Sequence, residues 1–230
     1  MNTREDKFSS SMVQTPPSGI RKFFEMLIGH DDVISLSVGE PDFPTPWCIR
    51  EEAFYHLEKG HTSYTSNWGL LELREEISKY MQKYNMHYNP QKEILITVGA
   101  SEGVDASLRA ILNPGDEIIV CQPCYVNYVP LARLCEVNVV PIDTSVNGFY
   151  PTAEQIEKAV TPKTKAVMIC SPNNPTGTMI PKEELEKIAE IVKKHQIWVI
   201  SDEIYCELAY DGAEHVSIGS FPGMKDYTII

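Results

Sequence analysis

Apolar runs and helical patterns alternate along most of the chain. Short runs that are apolar throughout predict strands near 94–98, 117–121, 137–142, 166–170, 197–200 and 227–230. Between most of them, apolar residues recur three and four positions apart, which predicts helices over 101–112, 125–135, 151–160 and 182–195. Strands without polar alternation are covered on both faces. The pattern therefore predicts an α/β fold with three layers and a doubly wound, mostly parallel sheet.

The first ninety residues differ from this pattern, because they are richer in proline, tyrosine and charge. They contain two predicted helices, at about 46–59 and 70–85. We interpret residues 1–60 as an N-terminal arm with part of a small domain, and residues 61–230 as a large domain. The predicted strand 227–230 ends the sequence without a turn or tail, so we expect the large domain to be truncated at its C-terminal end.

Composition narrows the classes of protein. The 230 residues are 43% hydrophobic and 23% charged, as in an ordinary globular protein, and the formal net charge is -12. Nucleic acid and anionic membranes both need a basic face, so neither is expected as a partner. The N-terminus has no apolar signal region, and several of the six cysteines fall at the ends of apolar runs. We expect a cytoplasmic protein with free thiols.

Metal and redox chemistry have little support in the sequence. Cys121 and Cys124 are the one cysteine pair at a suitable spacing, and no second pair accompanies them. The six histidines form no pair at metal spacing, and we expect most of them to face solvent. Sequence motifs for a P-loop, a dinucleotide-binding turn and a nucleophile elbow are also lacking.

Candidate chemistry follows the predicted strands, because ligands of open α/β sheets bind beyond the carboxyl ends of the strands. Gly99 precedes Ala100 and Ser101 at a helix start, which suits a phosphate, although Ser101 as a simple N-cap fits equally well. Tyr125 follows the next strand, as a stacking ring or as core. Asp202 ends a strand covered on both faces, where a carboxylate is costly unless a cation or donor meets it.

Two motifs resemble those of a known family. Ser171–Gly177 has the sequence SPNNPTG, and Ser201–Tyr205, one helix and one strand later, has the sequence SDEIY. Together they resemble the class I/II aminotransferases, pyridoxal-5'-phosphate (PLP) enzymes of fold type I. Further similar segments occur in the same order, at 37–43, 64–74, 97–103 and 113–116. The resemblance covers about residues 30 to 230 and implies a PLP transferase large domain.

The resemblance implies roles for individual residues around pyridoxal 5'-phosphate. Asp202 matches the acid that keeps the ring nitrogen protonated, which resolves its costly position. Asn174 and Tyr205 match the partners of the ring's phenolic oxygen, and Tyr125 matches the aromatic side chain that stacks on the ring. Ala100 and Ser101 match the phosphate-binding turn. Tyr64 matches a residue that reaches the phosphate of the neighbouring subunit, and Gly39 matches the position whose backbone lies by the substrate carboxylate. A homodimer is therefore implied.

The family's Schiff-base lysine is expected about thirty residues after the SDEIY motif, just past the next strand. That position lies beyond Ile230, and Lys225 precedes the strand instead. We therefore expect no catalytic residue within this chain, which matches the N-terminal portion of the family, and we expect the 230-residue polypeptide to be inactive alone.

The function implied by the resemblance is transfer of an amino group between an amino acid and a 2-oxo acid. Two alternatives stay open at this stage. One is a C–S β-lyase on the same fold, which eliminates a thiol from a sulfur amino acid. The other is a non-catalytic binding or regulatory remnant that has kept the fold and lost the lysine.

Overall fold

The computed structural model describes residues 7–17, 19, 39 and 43–230. Seven α-helices lie in this part of the chain: α1 Ser10–Val13, α2 Trp47–Glu58, α3 Leu71–Met81, α4 Ala100–Ile111, α5 Tyr128–Leu134, α6 Ala153–Ala159 and α7 Lys182–His195. Five strands accompany them: β1 Glu117–Gln122, β2 Asn138–Asp143, β3 Thr164–Cys170, β4 Trp198–Asp202 and β5 Thr228–Ile229. Short 3-10 helices lie at Gln82–Tyr84, Ser145–Asn147, Ile218–Ser220 and Met224–Tyr227.

The five strands form one sheet in the order β2-β1-β3-β4-β5, and every neighbouring pair is parallel. The carboxyl ends of all strands therefore lie at one edge. Cys170 at the end of β3 stands opposite Asp202 at the end of β4 in the register. The predicted parallel α/β sheet is confirmed, and the candidate residues that follow its strands are drawn to a common edge.

Helices cover both faces of the sheet. On one face, α6 and α7 pack with a core that includes Ile156, Ile188 and Val199, all 0% exposed. On the other face, α4 and α5 pack with Leu108, which is 1% exposed, and with the neighbouring strand residues. Burial of apolar surface on both faces is the main stabilising term of such a fold, and it confirms the three-layer arrangement.

Local signals in the sequence set the bounds of the helices on the first of these faces. Thr152 forms a reciprocal capping box with Gln155 at the start of α6. Pro181 precedes α7, three basic residues lie in its last turn, and Gln196 closes it in the left-handed conformation. The predicted helix 182–195 is confirmed at both ends.

One predicted strand is wrong. Residues 94–98 are not part of the sheet, and among the described residues their one backbone-to-backbone hydrogen bond runs from the N–H of Ile96 to the carbonyl of Trp68, at 3.1 Å. A cleft of about 710 Å³ is lined on one side by this segment and on another by β5. A β-branched run becomes a strand only where a partner supplies the ladder, because β-propensity depends on context.

The remaining differences are small or outside the described residues. The last strand is two residues long, since Tyr227 belongs to the preceding 3-10 helix. Within residues 7–17, 19, 39 and 43–230, no helix combines the length and apolar character needed to cross a membrane. The division of the chain near residue 60 stays a prediction, because much of the first segment lies outside the described residues.

Candidate functional site

Asp202 ends β4 at the carboxyl edge of the sheet. Its Oδ2 accepts a hydrogen bond from the hydroxyl of Tyr128 at 2.6 Å, and its Oδ1 accepts one from the backbone N–H of Ile204 at 3.2 Å. Tyr128 is 3% exposed, and burial, followed by the nearby Cys170 and Asp202, raises the pKa of its hydroxyl. Tyr128 therefore keeps its proton and serves Asp202 as a fixed donor.

Asn174 and Tyr205 meet beyond the ends of β3 and β4. The Asn174 side-chain amide donates to the Tyr205 hydroxyl at 3.1 Å. The turn that carries Asn174 is held by Asn173, whose amide donates to the carbonyl of Pro123 at 3.2 Å and to the Thr176 hydroxyl at 2.8 Å. Because the Tyr205 oxygen accepts from Asn174, its own proton is free to be donated to an external oxygen.

The start of α4 lies at the same edge of the sheet as these residues. Gly99 is the N-cap residue, with φ +81, and an added Cβ there would meet nothing within 4 Å. The alternative in which Ser101 caps the helix is wrong, because Ser101 lies inside the first turn. Its hydroxyl instead accepts from the side-chain amide of Asn127 at 3.1 Å. The Glu102 carboxylate accepts from the backbone N–H of Val98, which ties the turn together.

Tyr125 lies between β1 and α5. Its hydroxyl accepts from the Asn127 amide at 3.2 Å, so Asn127 joins Tyr125 to Ser101. The ring of Tyr125 meets the ring of Tyr128 edge to face, with centroids 5.6 Å apart and planes at 75°. This geometry is a favourable aromatic pair, and it links the Tyr125 ring through Tyr128 to Asp202.

The structure thus brings together most of the predicted site residues, but it does not join the cofactor candidate Tyr64 or the substrate candidate Gly39 to them. Ser101, Tyr125 and Asp202 are connected through Asn127 and Tyr128, and Asn174 and Tyr205 form a pair on the adjoining strand ends. Tyr64 is 106% exposed, and no hydrogen bond joins it to these residues in the described part of the chain. Gly39 is exposed, and its neighbours 37, 38 and 40–42 lie outside the described residues.

Sequence reasoning missed Asn127 and Tyr128. Their signal is positional, since they lie shortly after Tyr125, as the N-cap and the first residue of α5. The expectation for the histidines also misses one residue. His215 has a side chain only 2% exposed, paired with Glu203 at 2.9 Å. A buried imidazole paired with a carboxylate leaves no recognisable sequence pattern, because only the folded structure brings the two residues together.

The cysteines are all free. Burial raises the pKa of Cys121 to about 12 and also raises the pKa of Cys124. Both thiols are therefore protonated near neutrality, and a thiol in that state is a poor nucleophile and a poor metal ligand. No cluster of three or more metal-ligating side chains occurs within the described ranges.

Tyr128→Phe is expected to lower the free energy of unfolding by about 1–3 kcal/mol, because Asp202 loses a charge-assisted donor while the ring stays in place. Urea denaturation of the 230-residue chain measures this. The matched control is Tyr227→Phe. Tyr227 is half-buried against the core on the other face of the sheet, and its hydroxyl makes no hydrogen bond within the described residues. Equal losses in the two variants would contradict the role given to Tyr128.

The residues at this edge fit a flat, phosphate-bearing aromatic ring. The Asp202 carboxylate at a strand end accepts a hydrogen bond from Tyr128. The Tyr205 hydroxyl accepts from Asn174 and keeps its proton free to donate. The helix start capped by Gly99 is open to an anion. The three features suit, in turn, a protonated ring nitrogen, a ring oxygen and a phosphate.

Comparison with known proteins finds relatives of this chain in one family. The family model "Aminotransferase class I and II" matches residues 31–230. The chain is 50% identical over 224 residues to "Putative aminotransferase YugH" of Bacillus subtilis (strain 168), covering 96% of this chain and 58% of that protein. It is 43% identical over 215 residues to an aspartate aminotransferase of Pyrococcus abyssi, covering 93% and 55%.

A solved structure extends the comparison to three dimensions. The structure of aspartate aminotransferase from Thermus thermophilus with maleate superposes with a TM-score of 0.89 at 37% identity, covering 96% of this chain and 58% of that one. The chain therefore spans little more than half the length of the relatives it matches, 58% and 55% of the two curated ones.

Proposed function

We propose, on the premise that this chain belongs to the class I and II aminotransferases, that the protein transfers an amino group between an amino acid and a 2-oxo acid. The family depends on pyridoxal 5'-phosphate, which the residues at the strand ends fit. The observation that carries the proposal is the convergence of Asp202, Asn174 and Tyr205 at one edge of the sheet, with Tyr128 behind Asp202.

Asp202 would hold the proton on the ring nitrogen of the cofactor. The protonated ring supplies an electron sink for the bonds at the substrate's α-carbon. A carboxylate beside a protonated nitrogen favours the charged form of both groups. Tyr128 donates to Oδ2 of Asp202 and so fixes the plane of the carboxylate. The protonated ring nitrogen and the Tyr128 hydroxyl would together supply the partners that make the Asp202 carboxylate tolerable at this strand end.

Asn174 and Tyr205 would hold the phenolic oxygen of the same ring. The Tyr205 hydroxyl accepts from Asn174 and has its proton left to donate, which orients it toward an external acceptor. Tyr125, held at its hydroxyl by Asn127, would stack on the face of the ring.

The start of α4 would bind the phosphate. Ala100 and Ser101 place backbone N–H groups and a hydroxyl in the first turn, behind a glycine with positive φ. The exposed Tyr64 would reach the phosphate in a second subunit, which makes the functional unit a homodimer. The backbone at Gly39 would lie by the substrate carboxylate. These three assignments rest on the motif matches.

Lys225 is engaged away from the strand ends. Its Nζ donates to Glu93 at 2.9 Å and lies 5.3 Å from the centre of the Tyr88 ring, and Lys225 precedes β5 at the amino end of that strand. These contacts support the proposal that the lysine that bonds the cofactor lies outside residues 1–230. We also propose a PLP-binding domain at 61–230 after an N-terminal arm. The free thiols agree with a cytoplasmic location.

The 230-residue chain is expected to bind pyridoxal 5'-phosphate reversibly and to sustain no transamination. Isothermal titration with pyridoxal 5'-phosphate measures the first, and 2-oxo-acid-dependent conversion of an amino acid, followed over many turnovers, measures the second. Pyridoxine without phosphate is the control ligand. Failure of pyridoxal 5'-phosphate to bind in saturable fashion contradicts the site, and multiple turnovers contradict the assignment of the lysine.

A further inference from the structure

The segment that carries Tyr205 is a double turn that leaves the end of β4. The N–H of Cys206 donates to the carbonyl of Glu203 at 2.9 Å, and the N–H of Leu208 donates to the carbonyl of Tyr205 at 2.8 Å. We name residues 203–208 the Tyr205 turn. Two carboxylates, Glu203 and Glu207, flank Tyr205 two positions away on either side, and each is engaged by side chains from elsewhere in the fold.

Glu203 is the inner anchor of the Tyr205 turn. Its side chain is 6% exposed. It accepts from the hydroxyls of Ser201 and Ser217 at 2.8 and 2.7 Å, and its second oxygen pairs with Nε2 of His215 at 2.9 Å. Such a buried carboxylate is stable only while its donors stay in place, so it ties the turn to β4 and to the segment 215–217.

Glu207 is the outer anchor. Its carboxylate accepts from the hydroxyls of Tyr80 and Tyr84 at 2.6 and 2.8 Å, and from Nζ of Lys83 at 2.7 and 2.9 Å. Lys83 first, and then the two phenols, lower the pKa of Glu207 to about 2. The donors belong to the end of α3 and the following 3-10 helix, more than a hundred residues earlier in the chain.

The two anchors are connected to each other. The ring of Tyr84, which donates to Glu207, packs edge to face on the imidazole of His215, which pairs with Glu203. Their centroids are 5.4 Å apart. A movement of the helix end that carries Tyr84 therefore acts on both sides of the Tyr205 turn.

An exposed ion pair usually contributes little, because solvent screens it and two long side chains must be ordered. Glu207 differs from such a pair, since three side chains donate to a single carboxylate and two of them are phenols with little rotational freedom. Glu154, an exposed glutamate of α6 with one lysine partner at 2.6 Å, shows the ordinary arrangement.

We propose that Glu203 and Glu207 are positioning residues, which hold the Tyr205 turn so that the Tyr205 hydroxyl stays on the Asn174 amide. Functional side chains need surrounding contacts that lock their geometry. A double turn after a strand has few such contacts within itself. The value of this support to the reaction rests on the proposed function, in which Tyr205 and Asn174 hold the ring oxygen. The contact itself can be tested without the cofactor.

The test is the side-chain amide resonance of Asn174 in the 15N spectrum of the 230-residue chain, without added cofactor. Tyr205→Phe gives the position of that resonance when the hydroxyl is absent. We expect Glu207→Ala to move the resonance at least half of the way toward that position, and Glu154→Ala to leave it in place. Glu207→Gln keeps an acceptor oxygen for the phenols, so we expect its Asn174 resonance to lie closer to that of the unaltered chain than the resonance of Glu207→Ala does.

An Asn174 resonance that stays in place in Glu207→Ala would overturn the proposal. The buried residue is tested separately with Glu203→Gln, which keeps the size of the side chain. Faster hydrogen exchange at the N–H groups of Cys206 and Leu208 in this variant is expected, and unchanged exchange would overturn the role of Glu203. Pyridoxal 5'-phosphate is added last. Lack of binding to the unaltered chain contradicts the proposed function and leaves the resonance result standing.

Discussion

Replacing Asp202 with asparagine is expected to weaken the binding of pyridoxal 5'-phosphate to the 230-residue chain by about 10- to 100-fold near neutral pH. A hydrogen bond between charged partners contributes about 1.5–3 kcal/mol, and each 1.4 kcal/mol is about a factor of ten. Asparagine is similar in size and keeps one acceptor oxygen. The variant therefore removes the charge while it leaves the shape of the strand end largely intact.

The geometry around Asp202 makes the loss specific to the ring nitrogen. The Tyr128 hydroxyl can still donate to the asparagine oxygen. The amide NH2 then takes the place of Oδ1, where it loses the bond from the Ile204 N–H and offers no acceptor to a protonated ring nitrogen. The variant is expected to bind the cofactor with its ring nitrogen unprotonated, which the ultraviolet and visible spectrum of the bound cofactor reports.

Asp211→Asn is the matched control for this prediction. Asp211 is exposed and has φ 56, a conformation that asparagine also tolerates. The control is expected to bind pyridoxal 5'-phosphate as the unaltered chain does. Equal affinities for Asp202→Asn and Asp211→Asn would show that Asp202 does not meet a charge on the cofactor.

The layered fold was predictable because its evidence is local. The covered part of such a strand is apolar at every position, as in β3, where the last five of its seven residues are apolar and buried. Helix α7 carries its apolar stripe and its basic last turn within fourteen residues, directly after a proline. Each of these signals acts along the chain, so no knowledge of distant contacts was needed.

The strand predicted at 94–98 shows where local evidence fails. Its residues have the branched side chains that strands prefer, but a strand also requires a neighbour that completes its ladder of hydrogen bonds. Within the described residues, β5 at the edge of the sheet pairs only with β4, and the cleft separates it from this segment. Strand pairing depends on two segments, so the sequence of one segment alone does not show whether it has a partner.

The convergence of the motif residues in the candidate site was predictable, and the side chains that contact them were not. Asp202, Asn174 and Tyr205 follow strands that the sequence identifies, and the parallel sheet places them at one edge. Tyr128 reaches Asp202 across 74 positions, because its side chain extends from the start of α5 to the end of β4. That approach depends on how a helix lies on the sheet. The roles of Tyr64 and Gly39 stay predictions.

The other large effect is expected in the core. Ile188 lies in the middle of α7, is 0% exposed and packs between the helix and the sheet. Ile188→Ala is expected to lower the free energy of unfolding by about 2–5 kcal/mol, since lost burial and the cavity left behind add together. The higher helix propensity of alanine returns only a few tenths of a kcal/mol, so the loss dominates. Urea denaturation should show a lower midpoint with an unchanged slope.

Ile49→Ala separates burial from the change of residue type. Ile49 also lies in a helix, α2, but is 58% exposed. Its replacement makes the same chemical change and gains the same helix propensity, so we expect the free energy of unfolding to stay within about 0.5 kcal/mol of the unaltered chain. Because domains of this kind have only about 5–15 kcal/mol of stability, Ile188→Ala removes a large share of it. Similar midpoints for the two variants would contradict the packing of α7 on the sheet.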